Sequence, residues 1–142
     1  RIAYITAIFG NYEATLKPFA RQTVPSDFIC FTDNPDIVNS NGGWLVDSHP
    51  YHWEEGVAWE AAHNESGEVN SLHCNRHPFN VAKYYKMNAH RIGRLSGYDV
   101  VVWLDGTVQI RNANCSEILL SLVDQGHNLV AYAVGHDNSL LI

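Results

Sequence analysis

The stretch that most constrains this chain is residues 98–111, YDVVVWLDGTVQIR. Its apolar run from Val100 to Leu104 is unbroken and leads straight into Asp105-Gly106. A β-branched and aromatic run bounded by turn residues predicts a strand buried on both faces, of the kind found in parallel sheets covered by helices. A carboxylate at the end of such a strand is costly to bury unless something binds it. A local reading competes with this. Asp-Gly between two apolar runs is a strong signal for a two-residue hairpin turn, and a turn aspartate needs no ligand. The two readings hold together only where the turn faces a ligand.

The rest of the chain supplies strands and helices around that run. Residues 1–9 (RIAYITAIF) read as a strand ended by Gly10-Asn11, and residues 27–32 (DFICFT) as a second, ended by Asp33-Asn34-Pro35. Asn41-Gly42-Gly43 predicts a turn before a short third strand at 44–46. Residues 48–75 form a long excursion of poor periodicity, rich in His, Trp and Glu. Residues 78–95 predict one helix: Pro78 suits its first position, and Phe79, Ala82, Tyr85, Ala89, Ile92 and Leu95 mark one apolar face. Ser96-Gly97 ends it. Residues 107–111 read as another extended segment. Ser116 reads as the N-cap of a helix over 117–125, and residues 129–134 as a last strand. Strand, loop, strand, helix, strand, helix, strand is an α/β pattern around a mostly parallel sheet. In such sheets ligands bind beyond the carboxyl ends of the strands. Attention therefore falls on Gly10-Asn11-Tyr12, Asp33-Asn34 and Asp105-Gly106.

Length fits a single domain spanning residues 1–142. The chain opens at Arg1 directly on a strand and stops on the apolar Leu140-Leu141-Ile142, so a truncated piece of a longer domain is expected. A formal charge of -6 argues against a nucleic-acid or anionic-membrane surface. No run reaches the roughly 18 apolar residues of a membrane span. Three cysteines make no disulfide framework: Cys30 reads as a core thiol, while Cys74 and Cys115 are open to pairing, ligation or neither. Two glycosylation acceptors, Asn64-Glu65-Ser66 and Asn114-Cys115-Ser116, weakly favour a secretory lumen.

The basic residues are unevenly placed. Arg76, Lys83, Lys86, Arg91 and Arg94 fall in one interval without a single Asp or Glu. A cationic helix before an acidic strand end is an arrangement that suits a nucleotide diphosphate. Cations neutralise its oxygens, and a carboxylate can hold a bridging divalent metal. The alternative is a solvated polar face, with Arg91 and Arg94 stabilising the helix C-terminus. Tyr12 is placed to stack on a base or simply to pack, and Asp33 to bond a ribose or to cap the turn at Asn34-Pro35. His49 with His52, and His73 with His77 beside Cys74, have zinc-like spacings but no second half. Phosphate-loop, G-x-G-x-x-G and G-x-S-x-G motifs are missing, which removes the simplest nucleotidase, dehydrogenase and hydrolase readings.

Three blocks taken together carry a resemblance: ITAIFGNY at 5–12, DFICFTDN at 27–34, and AKYYKMNAHR at 82–91 running on to VWLDG at 102–106. Over about residues 1–111 this order resembles the glycosyltransferase-like domain of plant Golgi proteins linked to mucilage synthesis and turgor regulation, a family with bacterial and algal members. The resemblance implies a GT-A fold, a Rossmann-like transferase acting on a nucleotide-diphosphate sugar and a glycan or glycoconjugate acceptor. It implies that Thr6, Ala7, Ile8 and Tyr12 line the nucleoside and that Lys83 and Lys86 approach the phosphates. Asp105 takes the place of the D-x-D motif as metal ligand for Mn²⁺ or Mg²⁺, or as donor-sugar contact, but Gly106-Thr107 lacks the second Asp. The compartment implied is the Golgi lumen for a eukaryotic member and the cytoplasm for a bacterial one. Two further readings stay beside the transferase: a non-catalytic nucleotide- or carbohydrate-binding module of the same fold, and a metal-binding structural domain built on the histidine-rich excursion.

Overall fold

The computed structural model describes residues 1–40, 42–48 and 77–130. Four strands form one parallel sheet: β1 (Ile2–Ile8), β2 (Ser26–Thr32), β3 (Trp44–Asp47) and β4 (Val100–Trp103), in spatial order β3-β2-β1-β4. The register sets Ile5 opposite Ile29 on one side and Trp103 on the other, and Phe28 opposite Trp44. Among the described residues two helices accompany the sheet, α1 (Pro78–Met87) and α2 (Cys115–Asp124). The arrangement is α/β and Rossmann-like, as the alternation of elements predicts. No helix among the described residues is long and apolar enough to cross a membrane.

Alternation along β1 assigns the layers. Ile2, Tyr4 and Ile8 pack with Cys115 and Leu119 of α2 and with Leu16 and Ile37 from the loops. Ala3, Ile5, Ala7 and Phe9 pack with Val81, Tyr84 and Tyr85 of α1. Successive strand side chains point to opposite faces, so one strand serves two cores. All seven residues of β1 are buried. On the α2 face Tyr4, Phe28 and Phe19 stack in series, with centroid separations of 4.5 and 3.5 Å, and Trp44 meets Phe28 edge-on.

Several expectations are corrected. β4, expected to be buried on both faces, pairs only with β1 among the described residues, and Val101 is 37% exposed. The fully buried strand is β1, whose flanks are both occupied. The single helix expected over 78–95 ends at Met87. Short 3-10 turns follow at Ala89–Arg91 and Gly93–Leu95, with Ile92 extended between them at φ -80°, ψ 108°. Asn88 is the local cause: its backbone N–H and its side-chain amide both donate to the Tyr84 carbonyl, at 2.8 and 3.3 Å. An Asn that offers the backbone such an alternative favours a helix end over a helix interior. Ile92 and Leu95 still reach the core, but Phe79 is 46% exposed, and the buried face of α1 is Val81, Tyr84 and Tyr85.

Asp105-Gly106 does turn, with the Val108 N–H donating to the Asp105 carbonyl at 2.8 Å, but residues 107–111 do not return along β4. They run instead beside the loop before β2, where the Ala20 N–H donates to the Ile110 carbonyl at 2.8 Å. The hairpin is therefore not formed. Ser116 is not an N-cap. Asn114 holds that position, and Ser116 is buried inside the helix start. Its hydroxyl lies 2.9 Å from the Tyr4 hydroxyl and 2.8 Å from that of Ser26, and its N–H donates to Gln22 Oε1 at 3.0 Å. Gln22, remote in sequence, thus satisfies one of the N–H groups a helix start leaves open. Leu129 and Val130 are exposed and not in a strand; the rest of that expected strand, the excursion after Ser48 and Cys74 lie outside the described residues.

Candidate functional site

The chain runs outward from β1 to β2 and β3, then returns to the other side of β1 as β4. The sheet therefore reverses its winding between β1 and β4. At such a switch point the connections leaving the two strands part, and a crevice opens beyond their carboxyl ends. A cavity of about 730 Å³ lies there, within the roughly 300–1,000 Å³ typical of small-molecule sites. Ala7, Ile8 and Phe9 line it from the end of β1, and Trp103, Asp105 and Gly106 from the end of β4. α1 closes one wall with Ala82, Lys83 and Lys86.

The loop after β1 is shaped by two consecutive left-handed residues, Gly10 at φ 66° and Asn11 at φ 57°. Glycine adopts this region without penalty, and Asn is among the few other residues that tolerate it. A side chain at Gly10 would also collide with the first residue of α1, since a Cβ there would lie 2.6 Å from Pro78 Cγ. Asp33, at the end of β2, fixes the turn by accepting the Gly10 N–H on both carboxylate oxygens, at 3.0 and 3.2 Å. The reversal carries Tyr12 and Glu13 onto the cavity wall, with Tyr12 65% exposed.

Charge is concentrated at one corner. Asp105 Oδ1 accepts the Trp103 indole N–H at 2.7 Å, and the Lys86 ammonium lies 3.5 Å from the same oxygen. Lys86 also sits 5.7 Å from the centroid of the Trp103 ring, and Lys83 sits 4.1 Å from that of Phe79. Both lysines are thus held against aromatic faces by a weak cation–π attraction that leaves their charges accessible. Phe79 and Met87, 46% and 71% exposed, stand at the apolar rim. A cleft lined by two ammonium groups, two carboxylates and aromatic surface offers contacts for an anion joined to a flat or apolar group.

The structure brings Ala7, Ile8, Tyr12, Lys83, Lys86 and Asp105 to this one cavity. It does not bring Thr6 or Asp33 to it. Thr6 lies on the opposite face of β1, 2% exposed, with its hydroxyl lacking a hydrogen-bond partner among the described residues. Asp33 braces the loop from outside. Arg91 and His90 are exposed away from the cavity. Arg94 is committed elsewhere, donating to the buried Asp47 carboxylate at 2.7 Å. Arg76 lies outside the described residues, as do His49, His52 and His73.

Glu13 is among the cavity residues that sequence reasoning misses. Its Cγ packs against the turn at Gly106, 3.3 Å from where a Cβ would stand, and no local pattern marks it. Phe9 and Trp103 were within reach of the rule that strand ends face the ligand.

Among the described residues no three His, Cys, Asp or Glu side chains gather to hold a metal ion. Asp105 has a cation already beside it, and Glu13 is the other carboxylate on the cavity wall. Two carboxylates are too few to hold Mn²⁺ or Mg²⁺ without oxygens from a ligand. Comparisons with protein-family models, with curated proteins and with solved structures find no match.

Proposed function

We propose that this chain binds a nucleotide-diphosphate sugar and serves as the donor domain of a glycosyltransferase acting on a glycan or glycoconjugate. The observation that carries this reading is the position of Lys83 and Lys86 in a cleft at the β1–β4 switch point. Sugar transfer breaks the bond between the sugar and the diphosphate, and negative charge develops on the leaving oxygen. Two fixed ammonium groups stabilise that charge more in the transition state than in the bound donor. Tyr12 and the apolar rim offer surface for the base, and Asp105 lines the same cavity just beyond β4. The three sequence blocks that resemble the plant Golgi glycosyltransferase-like family support the same reading.

A second reading, a nucleotide-binding module without turnover, is favoured by the engagement of Asp105 with Lys86 and Trp103. Isothermal titration with UDP and GDP, with and without Mn²⁺, tests the nucleotide site common to both. Binding that Lys83→Ala and Lys86→Ala weaken supports it, and failure to bind either nucleotide sinks it. Product analysis with a panel of nucleotide sugars then separates the two, since a module gives neither transfer nor donor hydrolysis.

A further inference from the structure

We infer that Asp105 is a built-in competitor for the anion that the cavity takes, holding Lys86 in an exchangeable ion pair that an incoming phosphate must displace. The inference rests on the nucleotide reading above, and it reverses the role expected of a carboxylate at this strand end. A ligand carboxylate presents its oxygens toward a metal and a diphosphate. Asp105 instead turns one oxygen, Oδ1, to both the Trp103 indole N–H at 2.7 Å and the Lys86 ammonium at 3.5 Å.

The geometry makes exchange easy. The indole bond holds the carboxylate in place from its own strand, two residues away, so Asp105 does not depend on Lys86 for its position. Lys86 sits on the last turn of α1 with its ammonium 5.7 Å from the Trp103 ring centroid, a contact that does not depend on the carboxylate. Its side chain is 46% exposed and that of Asp105 64% exposed, so their attraction is screened and cheap to break. Lys83, one helical turn earlier on the same wall, has no carboxylate partner among the described residues and takes the first phosphate charge directly. Asp105 therefore opposes anion binding twice, by occupying Lys86 and by placing a like charge beside the phosphate. The ligand class implied is one with enough negative charge to win both lysines, a diphosphate in preference to a monophosphate.

Titration of the whole chain with inorganic pyrophosphate, and with UDP, in the presence of EDTA tests this. Asp105→Asn and Asp105→Ser both keep a residue suited to the first position of the turn that closes on Val108. Both variants are expected to bind pyrophosphate about two- to ten-fold more tightly than the parent chain, the scale of an exposed ion pair plus a removed like charge. The gain is expected to shrink when Lys86→Met is added, because only the like-charge part then remains, and an undiminished gain overturns the competition for Lys86. Equal or weaker binding by the Asp105 variants, or binding that appears only when Mn²⁺ replaces EDTA, overturns the inference and leaves the nucleotide reading standing. Failure of the parent chain to bind either probe, with or without Mn²⁺, overturns both.

Discussion

Asp33 accepts the backbone N–H of Gly10 on both carboxylate oxygens, tying the end of β2 to the loop that leaves β1. The contact fixes the left-handed turn that delivers Tyr12 and Glu13 to the cavity wall. An acidic residue at a strand end thus works on the backbone of its neighbour, and the neighbour must be glycine.

Gly10→Ala is expected to cost about 2–4 kcal/mol. The φ of 66° accounts for roughly 1–2 kcal/mol, and the collision with Pro78, 2.6 Å from the new Cβ, for the remainder. Urea denaturation measures the loss, and a change of less than about 1 kcal/mol would show that the loop and α1 adjust independently.

Lys86→Ala is expected to change stability by less than about 1 kcal/mol. Its partner Asp105 is mostly exposed, and exposed ion pairs contribute little. Thermal and urea unfolding of the variant check this. A larger loss would make Lys86 a structural residue and disqualify its use as a probe of anion binding.

Arg94→Met acts in the opposite regime. Asp47 is buried at the end of β3 and depends in part on the guanidinium 2.7 Å away. Removing one member of such a pair leaves a buried charge behind, and the expected loss is about 2–4 kcal/mol, reduced from the fully buried case because Arg94 reaches solvent. Arg94→Lys should recover part of it. Equal stability of the Met variant and the parent would refute the dependence.

Burial pushes the Cys30 thiol from its ordinary 9.0 up to about 12, and the charge of Asp47 adds to the effect. The folded chain therefore keeps this proton where the unfolded chain has lost it. Its contribution is fully present below about pH 9 and is lost as pH rises from there toward about 12, by at most roughly 1.4 kcal/mol per unit. The difference in alkaline stability between the parent chain and Cys30→Ala isolates this term from other groups. Thiol reagents should leave Cys30 unmodified until the chain unfolds, and rapid labelling of the native protein would contradict its placement.

Much of the sheet was legible because its signals are local. Apolar runs stopped by Gly10-Asn11, by Asp33-Asn34-Pro35 and by Asp105-Gly106 mark three strands and the edge on which a site forms. What was not legible depends on partners distant in sequence. Asp-Gly looks like a hairpin whichever way the next segment goes, and only the contact of Ala20 with Ile110 decides it. Ser116 looks like a helix cap until Tyr4, Ser26 and Gln22 claim it from the sheet side. The apolar period of residues 78–95 continues through Asn88, so periodicity alone misses the break. Lys86 and Asp105 each stand out in the sequence, but their contact depends on α1 lying over the β1–β4 crevice.

The pairing of β1 with β4 joins segments far apart in sequence, with Ile5 opposite Trp103 and the Leu104 N–H donating to the Ile5 carbonyl at 2.8 Å. Closing so long a loop carries an entropic cost before any contact rewards it, which places this pairing among the slower steps of assembly. The cavity is walled by the ends of these same two strands, so it is complete only when they pair. A ligand seated there acts as a clasp across the seam, and amide exchange at Leu104 becomes a direct gauge of occupancy.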